Sequence, residues 1–364
     1  MKICILTYNK TPNDDRLYYK LGRSLAKIGE IYILNPALVN IDGNPKHYGA
    51  QKSINNRKEK NKWYVKKLNN LNPQIIIVNH PFFLPIASLH KKYNDAKIMY
   101  DPAEDWSNMI LELSSFFWLK KWLIVLYVKL VEYIYSKHID VVITTDNWLE
   151  SFYSKNFKTL LLFNYPNYFI FNNYISKCNN HSLVYHGQLI KERGLFDLIY
   201  ATSILKNQFY DIKLNIIGWF TKNSDEVEAK QLVSRLDISQ HINFINPVDH
   251  TQIPQLISQN SIGIVPLHNI QKFQHNISTK VFEYAACGLQ IVSSNLAPTK
   301  QLKNSDKWCA FYEAGNIDSL VEVVSNILEA NTVYNSEGHD LFEKEFNWEA
   351  QEYLFLETVK RLVQ

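Results

Sequence analysis

HNISTKVFEYAACGLQIVSS, residues 275–294, contains both patterns that decide the fold. Asn276, Ser278 and Thr279 stand before a helical run, so one of them is expected to cap it. Ala285, Ala286 and Gly288 keep that helix thin enough for close packing, and Gln290–Ser293 then reads as a short apolar strand. A helix feeding such a strand is one beat of a rhythm that extends in both directions along the chain.

In the same half, strands are expected at Leu183–His186, Lys213–Ile217, Ile242–Ile245 and Gly263–Pro266. The first half offers Ile3–Thr7, Ile31–Leu34, Ile75–Asn79, Lys97–Tyr100 and Val141–Thr144. Helical stretches at Asp14–Ile28, Pro85–Tyr93, Trp118–Lys137 and Trp148–Lys155 separate these. Near-continuous apolar strands alternating with helices imply parallel sheets covered on both faces. The series occurs twice, which predicts an α/β protein of two Rossmann-like, doubly wound domains facing a cleft. The expected boundaries are 1–165 for the first domain, 166–181 for a hinge rich in Asn, Tyr and Phe, and 182–345 for the second domain. Residues 346–364 are expected to form a helix, opened by Asn347, that crosses back to the first domain.

A chain of 364 residues suits two domains of ordinary size. Its formal charge of +4 falls well short of the dense basic face of a nucleic-acid binder. Cys4, Cys178, Cys287 and Cys309 show no metal-ligand or redox spacing and read as free thiols in a reducing cytoplasm. The opening MKICILTYNK is too short an apolar run for a signal peptide and reads as a first strand. No stretch reaches the roughly 20 uninterrupted apolar residues of a membrane span. Trp118–Tyr135, the nearest, is broken by Lys120, Lys121, Lys129 and Glu132.

Candidate chemistry gathers at the strand ends of the second half. The free amides and dipole at the helix start near Thr279 make a site for a phosphate, and Lys280 adds a point charge there. Glu283, one turn on, suits a pair of vicinal hydroxyls such as those of a ribose. An ordinary capped helix between two strands is the plainer reading of the same residues. In LVYHGQLIKERG, residues 183–194, Gly187 ends a strand where backbone can approach a ligand closely. Arg193 supplies a fork suited to two phosphate oxygens, whereas Lys191 reads as a solvated turn. Gly218 and Pro266 close two further strands whose ends gather on the same edge of a parallel sheet.

The order GQLIKERG, IIGWF, INFINPV, GIVPL and NISTKVFEYAACGLQIVSS resembles the donor domain of glycosyltransferase family 4, whose members are retaining GT-B enzymes. FNWE at Phe346–Glu349 resembles the family's crossing helix, Tyr100–Glu104 its YDxHE stretch, and Asn164–Asn167 its NxPN stretch. Asp15 and Arg16 open the first helix in the corresponding place. The resemblance implies that Arg193 lies on the donor pyrophosphate and that Glu283 is the ribose-binding second glutamate of E-x7-E. It also implies that Ser278, Thr279 and Lys280 surround the distal phosphate and the sugar. Asp15, Arg16, Asp101 and Glu104 become candidates for the acceptor side, with helix capping the plainer role for Asp101 and Glu104. Three positions depart from the family. His275 falls where the first glutamate belongs, leaving His275 or Asn276 to meet the donor sugar. Gln188 replaces a second arginine, and Ala103 replaces the histidine of YDxHE.

The implied activity is transfer of a sugar from a nucleotide-sugar, UDP-linked by default, to a saccharide or lipid-linked acceptor of capsule, O-antigen or lipopolysaccharide synthesis. No cofactor or metal is expected, since no Asp-x-Asp pair or histidine cluster appears. A nucleotide-sugar epimerase and a non-catalytic partner subunit are the rival readings, the second motivated by His275, Gln188 and Ala103. Arg57, Lys58, Lys60, Lys62, Lys66 and Lys67, together with Trp118–Trp122, suggest peripheral contact with the cytoplasmic face of the inner membrane. A solvated charge run and a core helix with snorkelling lysines are the alternatives there.

Overall fold

Ile75–Val78 consists of four β-branched residues, all inaccessible to solvent. A strand without a polar face belongs inside a sheet covered on both sides. That is where the computed structural model places it; the structure describes every residue except 9, 10, 51–53, 55, 115, 177, 179 and 333. Contacts divide the chain into two units, Met1–Asn164 with Gln351–Gln364, and Tyr165–Ala350.

The first unit contains strands β1 (Lys2–Leu6), β2 (Glu30–Leu34), β3 (Lys46–Tyr48), β4 (Ile75–Val78), β5 (Lys97–Tyr100), β6 (Val141–Thr144) and β7 (Thr159–Leu161). All neighbours are parallel, in the order β3-β2-β1-β4-β5-β6-β7. Chain direction across the sheet reverses between β1 and β4, and such a switch point opens a crevice at the carboxyl ends of the two strands. Helices Arg57–Leu71, Leu84–Asn94 and Trp118–Tyr135 lend Tyr64, Leu68, Leu84, Ala87 and Val131 to the core built on Ile76, Val78 and Ile98.

The C-terminal helix, Trp348–Val363, opens where the Asn347 side chain accepts a hydrogen bond from the Ala350 amide at 2.8 Å. Its later part belongs to the first unit. There Gln351 donates to the Phe163 carbonyl at 2.6 Å, and Lys27 meets Glu352 at 2.6 Å.

The second unit repeats the plan with β8 (Ser182–Leu189), β9 (Lys213–Phe220), β10 (Ile242–Ile245), β11 (Ile262–Val265), β12 (Gln290–Ser294) and β13 (Ala310–Tyr312). Its parallel order is β10-β9-β8-β11-β12-β13, so the reversal falls between β8 and β11. Residues 166–181, read as a hinge from their lack of period, hold a short helix, Tyr168–Phe171, within this unit. Phe171 is fully buried, and the Ser176 amide donates to the Cys287 carbonyl at 2.8 Å.

Three strands escape the sequence pattern: β3, β7 and β13. Each has three residues and lies at a sheet edge, too short to display a period of two. The basic run is not a bare charge cluster either. It forms the helix Arg57–Leu71, capped by Asn56, whose side chain accepts from the Lys58 amide at 2.8 Å.

Candidate active site

The second unit's strand ends are drawn together by glycines. Gly187 and Gly218 face each other in the β8–β9 register, and a Cβ on Gly218 would lie 1.8 Å from the Gly187 carbonyl oxygen. A Cβ on Gly194, which has φ +72°, would lie 2.0 Å from the Pro266 carbonyl oxygen. Only glycine permits these approaches, and they bring the turn after β8 against the end of β11. The His268 amide, donating to the Glu192 carbonyl at 3.0 Å, ties the same two loops.

Into this corner project two cations. Lys280 is buried at 6% exposure, and its Nζ would sit 3.1 Å from a Cβ on Gly187. It lies 5.4 Å from the centre of the Tyr185 ring. Burial, and next the Arg193 guanidinium, hold its pKa down at about 7, while Glu283 acts the other way. Arg193 stands at the end of a single 3-10 turn, with its guanidinium 5.7 Å from the Phe273 ring centre. Its Nε is buried without a hydrogen-bond partner among the described residues. Two neighbouring cations under low-dielectric cover disfavour each other's charge, and an anion touching both would relieve that.

Helix Thr279–Ala286 starts beside Lys280. Ser278, one of the three residues expected to cap the helix, occupies the cap position, but its side chain makes no cap hydrogen bond. The Val281 amide donates to the Ser278 carbonyl at 3.3 Å, and no side chain at the cap takes the amides before it. Ser278 is buried, and Thr279 and Asn276 are half-buried. His275 ends a separate short helix, Gln271–His275, with its Nε2 at 3.0 Å from the Gln271 amide nitrogen. Gln188 lies one residue beyond Gly187 in β8, and its carbonyl accepts from the Tyr185 hydroxyl at 2.8 Å.

Glu283 is buried, and its Oε2 lies 3.0 Å from His186 Nε2. The imidazole packs edge-on against Tyr284 at 5.5 Å. Burial is the largest influence on His186 and pulls its pKa down, partly countered by Glu283. His186 and Tyr185 are the residues that sequence reasoning passed over. Their only signal was position: both precede the glycine that ends the predicted strand.

In the first unit the four acceptor-side candidates are occupied differently. Arg16 grips Asp101 with a fork, Nε to Oδ2 at 2.8 Å and Nη2 to Oδ1 at 2.7 Å, and Asp101 is fully buried. The pair engages Nε and Nη2, while Arg16 Nη1 is buried without a hydrogen-bond partner among the described residues. Neither Asp101 nor Glu104 caps the following helix. Asp105 does, accepting from the Asn108 amide at 3.1 Å. Asp15 pairs with the buried Lys20 at 2.5 Å, and Lys20 also reaches the Asn164 side chain at 3.0 Å. Glu104 is half-buried, next to Ala103 with φ +57°.

Residues 170–340 match the family described as "Glycosyl transferases group 1". No curated protein matches the chain. Among solved structures, sucrose-phosphate synthase from Thermosynechococcus elongatus superposes with a TM-score of 0.79 at 16% identity, covering 99% of this chain and 98% of that one. A glycosyltransferase from Rickettsia africae gives 0.72 at 14% identity, covering 100% and 98%. Anabaena HepE, solved in complex with UDP-glucose, gives 0.73 at 14% identity, covering 99% and 100%. The fold is that of GT-B glycosyltransferases, α/β with two parallel sheets.

Proposed function

We propose that this protein is a retaining, metal-independent glycosyltransferase whose second unit binds the diphosphate of a nucleotide-sugar at Arg193, Lys280 and the start of helix Thr279–Ala286. The single observation that carries the reading is Lys280, buried beside Gly187 with the Arg193 guanidinium nearby; burial first and Arg193 second hold its pKa at about 7. A structural lysine gains nothing from such a position; one that meets a diphosphate does.

The demand of the reaction is charge that grows on the distal phosphate as the anomeric bond breaks. Arg193 presents two parallel donors to phosphate oxygens, Lys280 a point charge, and the uncapped amides a third set. Pre-set in a protected corner, these stabilise the leaving diphosphate without reorganising. Glu283, steadied by His186, is the ribose acceptor. Gly187 and Gly218 let backbone approach the donor, with Gln188 and Pro266 beside them. His275 and Asn276 stand where the sugar hydroxyls would be read.

UDP is the expected nucleotide, supported by the HepE complex with UDP-glucose and the fold it shares with this chain. The acceptor is a saccharide or lipid-linked saccharide of bacterial capsule, O-antigen or lipopolysaccharide assembly, met at the cytoplasmic face of the inner membrane. The test is a thermal-shift panel of nucleotides and nucleotide-sugars, followed by donor turnover with and without a chelator. Stabilisation by a nucleoside diphosphate and chelator-insensitive release of it from a nucleotide-sugar are expected. No shift with any member would remove the reading. Binding without hydrolysis or transfer would instead favour the partner-subunit reading, which the departures at His275, Gln188 and Ala103 keep in view.

A further inference from the structure

Helix Trp118–Tyr135 of the first unit touches the core along a thin stripe, Val125, Val128 and Val131. Most of the rest of its surface lies open. Trp122 is 59% exposed, Leu123 59%, Leu126 64% and Tyr133 79%, with Trp118 and Leu130 also exposed. Soluble monomers rarely leave so many large apolar side chains contiguous and bare. The helix is nevertheless not a span: among the described residues no helix is long and apolar enough to cross a membrane.

Charge distinguishes what this face would meet. The helix has one acid, Glu132, and it is turned inward, accepting from the Tyr100 hydroxyl at 2.7 Å and the Tyr153 hydroxyl at 3.0 Å. Its exposed polar residues include Lys120 and Lys129. Helix Leu84–Asn94 packs against both this helix and the basic helix Arg57–Leu71. Arg57 joins the two, donating to the Tyr127 hydroxyl at 3.2 Å and lying over the Phe82 ring at 4.9 Å. Lys58, Lys62 and Lys66 recur at four-residue spacing, so they share one exposed face of that helix. They line an open hollow of about 890 Å³ with Arg57 and Val65.

We infer that this face docks the first unit onto an anionic phospholipid bilayer. The apolar side chains of Trp118–Tyr135 enter the boundary between headgroups and acyl chains, and the Arg57–Leu71 lysines lie over the phosphates. A second copy of the chain is the poorer occupant, because a two-fold contact would bring the same cations face to face. An aromatic and aliphatic face flanked by lysines, with its carboxylate withdrawn, matches an interfacial helix. The inference deepens the reading of a membrane-presented acceptor and rests on it only for its purpose; docking needs no turnover.

The experiment is co-sedimentation of the full chain with vesicles of phosphatidylglycerol and phosphatidylcholine, against phosphatidylcholine alone, at low and high salt. Binding to the anionic vesicles is expected, weakened by salt. Lys58→Gln/Lys62→Gln/Lys66→Gln should lower affinity on the order of a hundredfold at low salt, at roughly fivefold per cation. Leu123→Asp/Leu126→Asp should abolish sedimentation at either salt while leaving the circular dichroism spectrum and melting temperature unchanged, since both positions are exposed. No binding of the parent at low salt, unaltered binding of both variants, or a parent dimer that Leu123→Asp/Leu126→Asp makes monomeric would each overturn the inference. Stabilisation by nucleoside diphosphates is measured on the same proteins, so a failed donor site and a failed membrane face are told apart.

Discussion

Each unit carries an arginine just past the first strand of its sheet, and the two have opposite surroundings. Arg16, after β1, is neutralised by the buried carboxylate of Asp101 at the end of β5. Arg193, after β8, has no such carboxylate among the described residues, and its guanidinium stands near enough to Lys280 to add to burial in lowering the lysine pKa. The sheets share their strand order through the switch point, so fold alone does not distinguish the arginines. The difference lies in what the following elements deliver: a buried carboxylate to Arg16, and a buried lysine near Arg193. An ion pair offsets its own burial, while like charges held close would be relieved by a bound anion.

The sharpest way to break this comparison is Arg16→Met. It leaves Asp101 charged and buried without its partner, and about 3–5 kcal/mol of stability should go, read by chemical denaturation. A loss below about 1 kcal/mol would mean that the fork is not structural. Arg193→Ala and Lys280→Ala should do the reverse, folding normally but turning over more slowly by about 10²–10³-fold, the scale of a lost oxyanion donor. Turnover close to the parent's in both variants would leave the site without its cations' assigned role.

Lys280 also predicts a pH dependence. A bound diphosphate favours the ammonium, so its pKa rises from about 7 on binding and a proton is taken up. Affinity for a nucleotide-sugar should therefore fall above pH 7, by up to about tenfold per pH unit, until the pH reaches the pKa in the complex. A nucleotide-sugar is the right probe because its diphosphate diester does not titrate there. Flat affinity between pH 7 and 9 would contradict the coupling.

The smallest effect is on the free protein. A lysine depressed below its unfolded pKa costs stability where the native state must hold it charged, below about pH 7, and the cost fades as pH rises towards the unfolded value. Lys280→Met should thus raise stability at pH 6 by on the order of 1–3 kcal/mol, with a smaller gain at pH 9, while nucleotide binding weakens. Thermal melts at the two pH values measure it. Destabilisation at pH 6 would show that the ammonium has a structural partner after all.

Much of the fold was legible because its central strands have no polar face. Ile75–Val78 and Val141–Thr144 are buried along their whole length, and a continuous apolar run needs no tertiary information to be recognised. The edge strands β3, β7 and β13 were not legible, since three residues beside a single neighbour carry neither period nor full burial. Helix Arg57–Leu71 was hidden for another reason: only Tyr64 and Leu68 are buried, so charge masks its apolar stripe. At the candidate site, Gly187, Gly218, Arg193 and Lys280 stood out by type and position at strand ends and helix starts. His186 did not, because a histidine inside a strand looks the same whether or not a carboxylate waits 97 positions later.

Local pattern alone determined the alternation of strands and helices, the two successive sheets, and which residues stand at strand ends where ligands bind. Only tertiary structure decided which charges are answered. Arg16 and Asp101 lie 85 residues apart, and their bidentate bond exists because β1, β4 and β5 lie side by side. Arg193 comes within electrostatic range of Lys280 for the same kind of reason, through β8, β11 and the helix before β12. Charge pairing acts over a few ångströms in space, and sequence separation carries no record of that distance.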